Sequence, residues 1–195
     1  MQYVKAPLTP GWGRPGLPIV GPMGVAIHWT GNENIGANAM ANRDWCESFR
    51  GYKVAAHLFV DDKTIVEAVP LNEIAYHCGS ATSNTELAKT MFNSQQNKYL
   101  IGVEWCVNRD ANMAQTYRNM IGITSYLFAV FGWDFSMLFR HYDMTGKLCP
   151  AFFSDNQYSM RYGLGPSALD AWVKFQRDIR VATSGIRAYR EITGV

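Results

Sequence analysis

Three short apolar runs constrain this chain more than any other feature: residues 25–29, 54–60 and 100–107, each holding one ionisable side chain, His28, His57 and Glu104 respectively. Runs of this length, bounded by glycine or polar residues, are too short for helices and read as buried strands. A histidine in such a run is ordinarily a hydrogen-bonded core residue, which is the plain structural reading of His28 and His57. Glu104 is harder to dismiss. Desolvating an unpaired carboxylate costs several kcal/mol, so one inside a strand needs a partner or a chemical task.

Around these runs the chain alternates. Residues 54–60 and 64–69 flank Asp61-Asp62, the pattern of two strands joined by a polar hairpin turn. Helical spacing is expected over 38–49, 84–92, 113–131 and 166–179, with Pro166 suited to a first turn. Strands mixed with helices, including at least one hairpin, predict an α/β fold: a single domain with a central mixed β-sheet flanked by helices. A length of 195 residues suits one such core. Five of the eight prolines (Pro7, Pro10, Pro15, Pro18 and Pro22) fall in residues 1–24, which are expected to form an extended N-terminal arm packed on the domain. Residues 25–179 are then the body of the domain and 180–195, carrying Arg187 and Arg190, a C-terminal tail.

Composition narrows the class. An apolar share of 48% against 17% charged residues excludes disorder, and a net charge of +2 gives no footprint for nucleic acid. The longest charge-free stretch, 15–32, is broken by prolines and glycines, so no membrane span is expected. The N-terminus shows no apolar core or cleavage site of a secretory signal. A monomer made in the cytoplasm is the expectation. Cys46, Cys78, Cys106 and Cys149 lack C-x-x-C spacing and read as thiols.

Residues 140–150 bring His141, Lys147 and Cys149 close together in what reads as a loop, with Gly146 and Pro150 permitting tight turns. Imidazole nitrogen and thiolate sulfur are zinc ligands, and a catalytic zinc takes three protein ligands and leaves one position open. His141 and Cys149 supply two. A third would come from a rigid strand, and spacing leaves His28, His57 and His77 all open; a surface histidine beside a structural cysteine also fits.

Five strings lie in order between residues 25 and 150: Ile27-His28-Trp29-Thr30, Ala56-His57-Leu58-Phe59-Val60-Asp61-Asp62, Ala75-Tyr76-His77-Cys78-Gly79, Ile101-Gly102-Val103-Glu104, and His141 followed by Lys147, Cys149 and Pro150. In these the sequence resembles the zinc-dependent N-acetylmuramoyl-L-alanine amidases of the type-2 amidase and peptidoglycan-recognition superfamily, the phage endolysin branch in particular. The resemblance implies one zinc ion held by His28, His141 and Cys149, with Glu104 as catalytic acid/base and Lys147 as a second catalytic group. It places His77 among substrate-binding residues of the groove and gives His57 a structural role. Many relatives carry a catalytic tyrosine just before the histidine of the second string. Here that position is Ala56, and the task would pass to Glu104, shared with Lys147.

The implied substrate is bacterial peptidoglycan, cut between N-acetylmuramic acid and L-alanine by water that the zinc activates. Glu104 would move the proton and Lys147 would steady the oxyanion. An endolysin would reach the wall after release by a separate holin-type pore protein. A non-catalytic peptidoglycan-binding module is the alternative, since superfamily members lacking the cysteine bind without cutting; the presence of Cys149 favours the enzyme. A cysteine hydrolase built on Cys149 and His141 would lack a recognisable orienting acid.

Overall fold

Alternation along the strands assigns the two faces of the sheet. The computed structural model describes residues 1–80 and 82–194; Ala81 and Val195, which fall in the expected catalytic segment and tail, lie outside the described residues. Six strands form one sheet: β1 (Gln2–Lys5), β2 (Gly24–Trp29), β3 (Leu58–Val60), β4 (Thr64–Glu67), β5 (Leu100–Trp105) and β6 (Leu138–Arg140), in the spatial order β1-β4-β3-β5-β2-β6. β3 and β4 pair antiparallel as the hairpin expected from the sequence, and the remaining pairs are parallel. The sheet is therefore mixed.

Val25, Ile27, Ile101, Val103 and Trp105 point to one face and pack against helices α3 (Met113–Phe131) and α6 (Ala168–Thr193). Trp105 sits at the centre of this layer, with its ring centroid 4.8 Å from Phe152 and 6.0 Å from Phe175. Each large apolar side chain so buried contributes about 1.5–3 kcal/mol. The opposite face is covered in two patches. Phe59 and Val66 meet α1 (Ala39–Ser48), while Ala26 and Leu100 meet α2 (Glu86–Phe92) and α4 (His141–Thr145).

Local chemistry starts and stops these elements. The Asn38 side chain caps α1 by accepting from the Ala41 N–H, and the Asn112 side chain caps α3 by accepting from the Gln115 N–H. The Asp61 carboxylate ties the hairpin turn to α1, accepting from the N–H groups of Lys63, Thr64 and Ala39 at 2.7, 2.6 and 2.8 Å. These bonds satisfy backbone donors that would otherwise be orphaned at turns and helix starts.

Three expectations change. Residues 2–5 are not a detached arm but the edge strand β1, paired with β4 from Gln2 opposite Thr64 to Lys5 opposite Glu67; the prolines begin only at Pro7 and leave these residues free to pair. Beyond them the arm does lie on the domain, held by bonds such as Met23 N–H to Tyr99 C=O at 2.7 Å. Residues 54–57 precede β3 rather than lengthening it, although Ala55, Ala56 and His57 are buried. Finally, the helix expected to stop at residue 179 continues to Thr193, so the expected tail is helical. Its second half docks through polar groups: the Arg187 guanidinium donates to the carbonyls of Phe128 and Trp133, both at 2.9 Å, and Thr183 is buried. A search for apolar periodicity does not detect such contacts.

Candidate metal centre and active site

Strand register brings the candidate residues together. β2 and β5 run parallel with His28 opposite Glu104 and Ala26 opposite Gly102, so all four share the face turned away from α3 and α6. In β6, Phe139 lies opposite Ala26. His141, two residues on and the first residue of α4, returns to that same face.

Residues 140–150 are thus not a plain loop, because α4 occupies the first half. The Asp143 carboxylate folds back onto Arg140, accepting from its N–H at 2.7 Å and its Nη2 at 2.6 Å, while Nη1 donates to the Phe153 carbonyl at 2.5 Å. Gly146 ends the helix at φ +73°, a left-handed conformation open to glycine. The chain then doubles back until the Tyr142 N–H donates to the Cys149 carbonyl at 2.8 Å. That bond sets Cys149 beside the start of α4, next to His141.

His28, His141 and Cys149 converge: each offers a donor atom, all within 4.8 Å of one another, and all three residues are buried. The separation of the His28 Nδ1 and Cys149 Sγ atoms is 3.7 Å. Ligand bonds of zinc to nitrogen and sulfur at tetrahedral angles require about 3.6 Å between such atoms, so this donor set fits that ion. A second grouping, His28, His77 and Cys78, is equally tight. There, however, His28 Nε2 and His77 Nδ1 are only 2.9 Å apart, a hydrogen-bond distance and less than the roughly 3.3 Å that two nitrogens on one tetrahedral zinc require. His77 is buried, with Nε2 against the Leu100 carbonyl at 3.0 Å, so both its ring nitrogens are engaged inside the protein and it presents no free edge to a groove. His57 likewise has structural partners, accepting from the Gly102 N–H at 2.9 Å and donating to the Glu73 carbonyl at 2.9 Å.

Burial sets the protonation states. It holds the imidazoles of His28 and His77 well below the ordinary histidine value, and it lowers His141 to about 4 with help from the Lys147 charge. Neutral imidazoles are what a metal requires. Burial also pushes the Cys149 thiol up to about 12, so it stays protonated until a cation displaces the proton, and it is unsuited to act as a free nucleophile. A thiol held in its protonated form disfavours a cysteine hydrolase.

Glu104 carries the second half of the site. Its Oε2 atom is buried with no hydrogen-bond partner among the described residues, and desolvation pushes its carboxyl up to about 7, with the Lys147 charge pulling the other way. Glu104 and Lys147 line one cleft of about 370 Å³, together with Ala56, Trp29, Trp45 and Tyr52. Ala56, at the position where a tyrosine was expected in relatives, lies on the wall of this cleft with Glu104. The sequence reading did not single out Trp45 or Tyr52 as cleft residues. Trp45 and Tyr52 are exposed by 46% and 63%, and nothing in their spacing separates them from core aromatics before the fold is known.

Comparison with known proteins identifies the relatives of this chain. The Amidase_2 family, described as N-acetylmuramoyl-L-alanine amidase, matches residues 19–152. The N-acetylmuramoyl-L-alanine amidase CwlL of Bacillus licheniformis is 33% identical over 143 residues, covering 71% of this chain and 38% of that protein. XlyA of Bacillus subtilis, an N-acetylmuramoyl-L-alanine amidase, is 28% identical over 176 residues, which cover 90% of this chain and 54% of XlyA. The chain therefore spans about half or less of the length of these relatives. Among solved structures, the catalytic domain of XlyA superposes with a TM-score of 0.73 at 25% identity, covering 92% of this chain and 99% of that one. PlyL superposes with a TM-score of 0.67 at 20% identity, over 92% of this chain and 97% of PlyL, a likeness of fold. With the family match running from the arm across the histidine, glutamate and cysteine positions, this chain belongs to the N-acetylmuramoyl-L-alanine amidase family Amidase_2.

Proposed function

We propose that this chain is a peptidoglycan hydrolase that cleaves the amide between N-acetylmuramic acid and L-alanine, using one zinc ion held by His28, His141 and Cys149. The observation that carries this reading is the convergence of those three donors on the sheet face that also bears the unpartnered carboxylate oxygen of Glu104. The catalytic unit is residues 25–179 together with β1 and the remainder of α6, which are built into the same domain. The expected setting is that of an endolysin, acting on the wall of a bacterial host after release from the cytoplasm.

Zinc in this ligand set retains about one unit of positive charge and supplies Lewis acidity toward a carbonyl oxygen and toward water. Glu104 takes the proton of the attacking water and passes it to the leaving amine of L-alanine; its burial, which favours the protonated carboxyl, suits a group that must accept and then return a proton. Lys147, at the edge of the same cleft, balances negative charge on the former carbonyl oxygen. Cys149 and the poised Glu104 support a cutting enzyme over a module that only binds.

Turbidity of purified cell walls, read with and without chelator and followed by mass spectrometry of the fragments, tests the activity. Clearing that stops with chelator and yields stem peptides with a free L-alanine amine is expected. His28→Ala and Cys149→Ser should each lower zinc stoichiometry, while Glu104→Ala should keep zinc and lose hydrolysis. Full zinc retention in both ligand variants, or undiminished clearing by Glu104→Ala, overturns the assignment.

A further inference from the structure

We infer that His77 is a positioning residue that fixes the ring orientation and tautomer of the metal ligand His28. This inference rests on the ligand set proposed above and extends it. A carbonyl oxygen can only accept, so His77 Nε2, 3.0 Å from the Leu100 carbonyl, carries the ring proton. In the neutral ring, Nδ1 of His77 is then an acceptor. It faces Nε2 of His28 at 2.9 Å, which places the His28 proton on Nε2. The lone pair of His28 is thereby left on Nδ1, the atom 3.7 Å from Cys149 Sγ. The relay runs in one direction from a backbone carbonyl of β5, through two imidazoles, to the metal-facing nitrogen. A ligand histidine usually donates its second N–H to a carboxylate, carbonyl or water; here the acceptor is another histidine, itself oriented by the backbone.

The His77 ring is held in place for this task. A Cβ on Gly102 would come within 2.5 Å of His77 Cγ, so the ring lies directly on the Gly102 backbone. On the same strand residue, the Gly102 N–H donates to His57 Nδ1 at 2.9 Å. The His57 and His77 rings meet edge to face with centroids 5.5 Å apart. Gly102 thus seats both histidines, and His77 cannot swing away without leaving its carbonyl partner.

Two measurements test the relay. In the metal-free wild-type protein, long-range 1H–15N correlation of the imidazoles should show both His28 and His77 as Nε2–H tautomers; an Nδ1–H tautomer at His28 overturns it. In the full chain, competition with a chromophoric chelator should show His77→Leu binding zinc about 10–100-fold more weakly than wild type. His77→Asn, whose Oδ1 replaces Nδ1 as acceptor, should restore most of the loss. Unchanged zinc affinity in His77→Leu, or equal losses in both variants, overturns the relay. If His28→Ala itself leaves zinc binding intact, the ligand set fails instead, and the tautomer spectrum still decides the hydrogen-bond direction. That spectrum also decides if His77→Leu does not fold.

Discussion

Replacing Glu104 by glutamine should stabilise the metal-free protein at alkaline pH while removing its activity. The folded carboxyl ionises at about 7, raised from 4.5 by burial, so between those values the unfolded chain has lost a proton that the folded chain keeps. Stability attached to this group is therefore full below 4.5 and is lost as pH rises through about 7. At about 1.4 kcal/mol per pH unit that interval amounts to roughly 3 kcal/mol, trimmed to about 2 because the side chain borders the open cleft. Glutamine has the same shape and no charge to desolvate. Glu104→Gln should thus gain about 2 kcal/mol near pH 8.5, or roughly 4–8 °C in melting temperature, and almost nothing near pH 4.5. Histidine titrations are common to both proteins and cancel in the difference. Thermal melts of the two metal-free proteins across this range make the comparison, and wall hydrolysis by the variant should fall by about 10²–10⁴-fold. A stability difference that does not change with pH, or a variant less stable than wild type at the alkaline end, would refute the claim that Glu104 is held against its own desolvation.

Gly102→Ala would drive a Cβ into the His77 ring at 2.5 Å, and the strand backbone leaves little room to yield. We expect a loss of about 1–3 kcal/mol in chemical denaturation, together with weaker zinc binding in the chelator competition. Arg187→Ala removes the bonds to Phe128 and Trp133 that fasten the far half of α6 to the end of α3. It should cost about 1–3 kcal/mol and speed amide hydrogen exchange beyond residue 183, with zinc binding unaffected.

Sequence reading reached the parts of this fold that rest on apolar patterning. The runs around His28, Glu104 and the hairpin contain β-branched and aromatic residues that a buried sheet demands, and α3 emerged with its bounds intact because its apolar residues recur at helical spacing from end to end. What escaped was built from short or polar pieces. β6 has three residues, below the length at which alternation is visible, and α4 is organised by one carboxylate folding onto Arg140. The far half of α6 hides its contacts in Arg187 and Thr183. For the site, local spacing offered His141 and Cys149 as two ligands, whereas the choice of His28 as the third came only through resemblance, because it lies far from them along the chain. The inward engagement of His77 was not legible, because its partners, His28 and the Leu100 carbonyl, are set by a strand crossing rather than by neighbours in the chain.

The pairing of His28 opposite Glu104 on adjacent parallel strands has a wider consequence. The gap between the proposed ligand and the proposed proton carrier is a rung of the backbone ladder, set by hydrogen bonding between β2 and β5. Loops bordering the cleft can therefore lengthen, shorten or change composition to suit walls of different chemistry while that gap stays constant. A slip of one residue between the two strands would instead turn one of the pair to the far side of the sheet. On the proposed reading, the rim is free to vary while the geometry of the reacting groups stays with the weave beneath it.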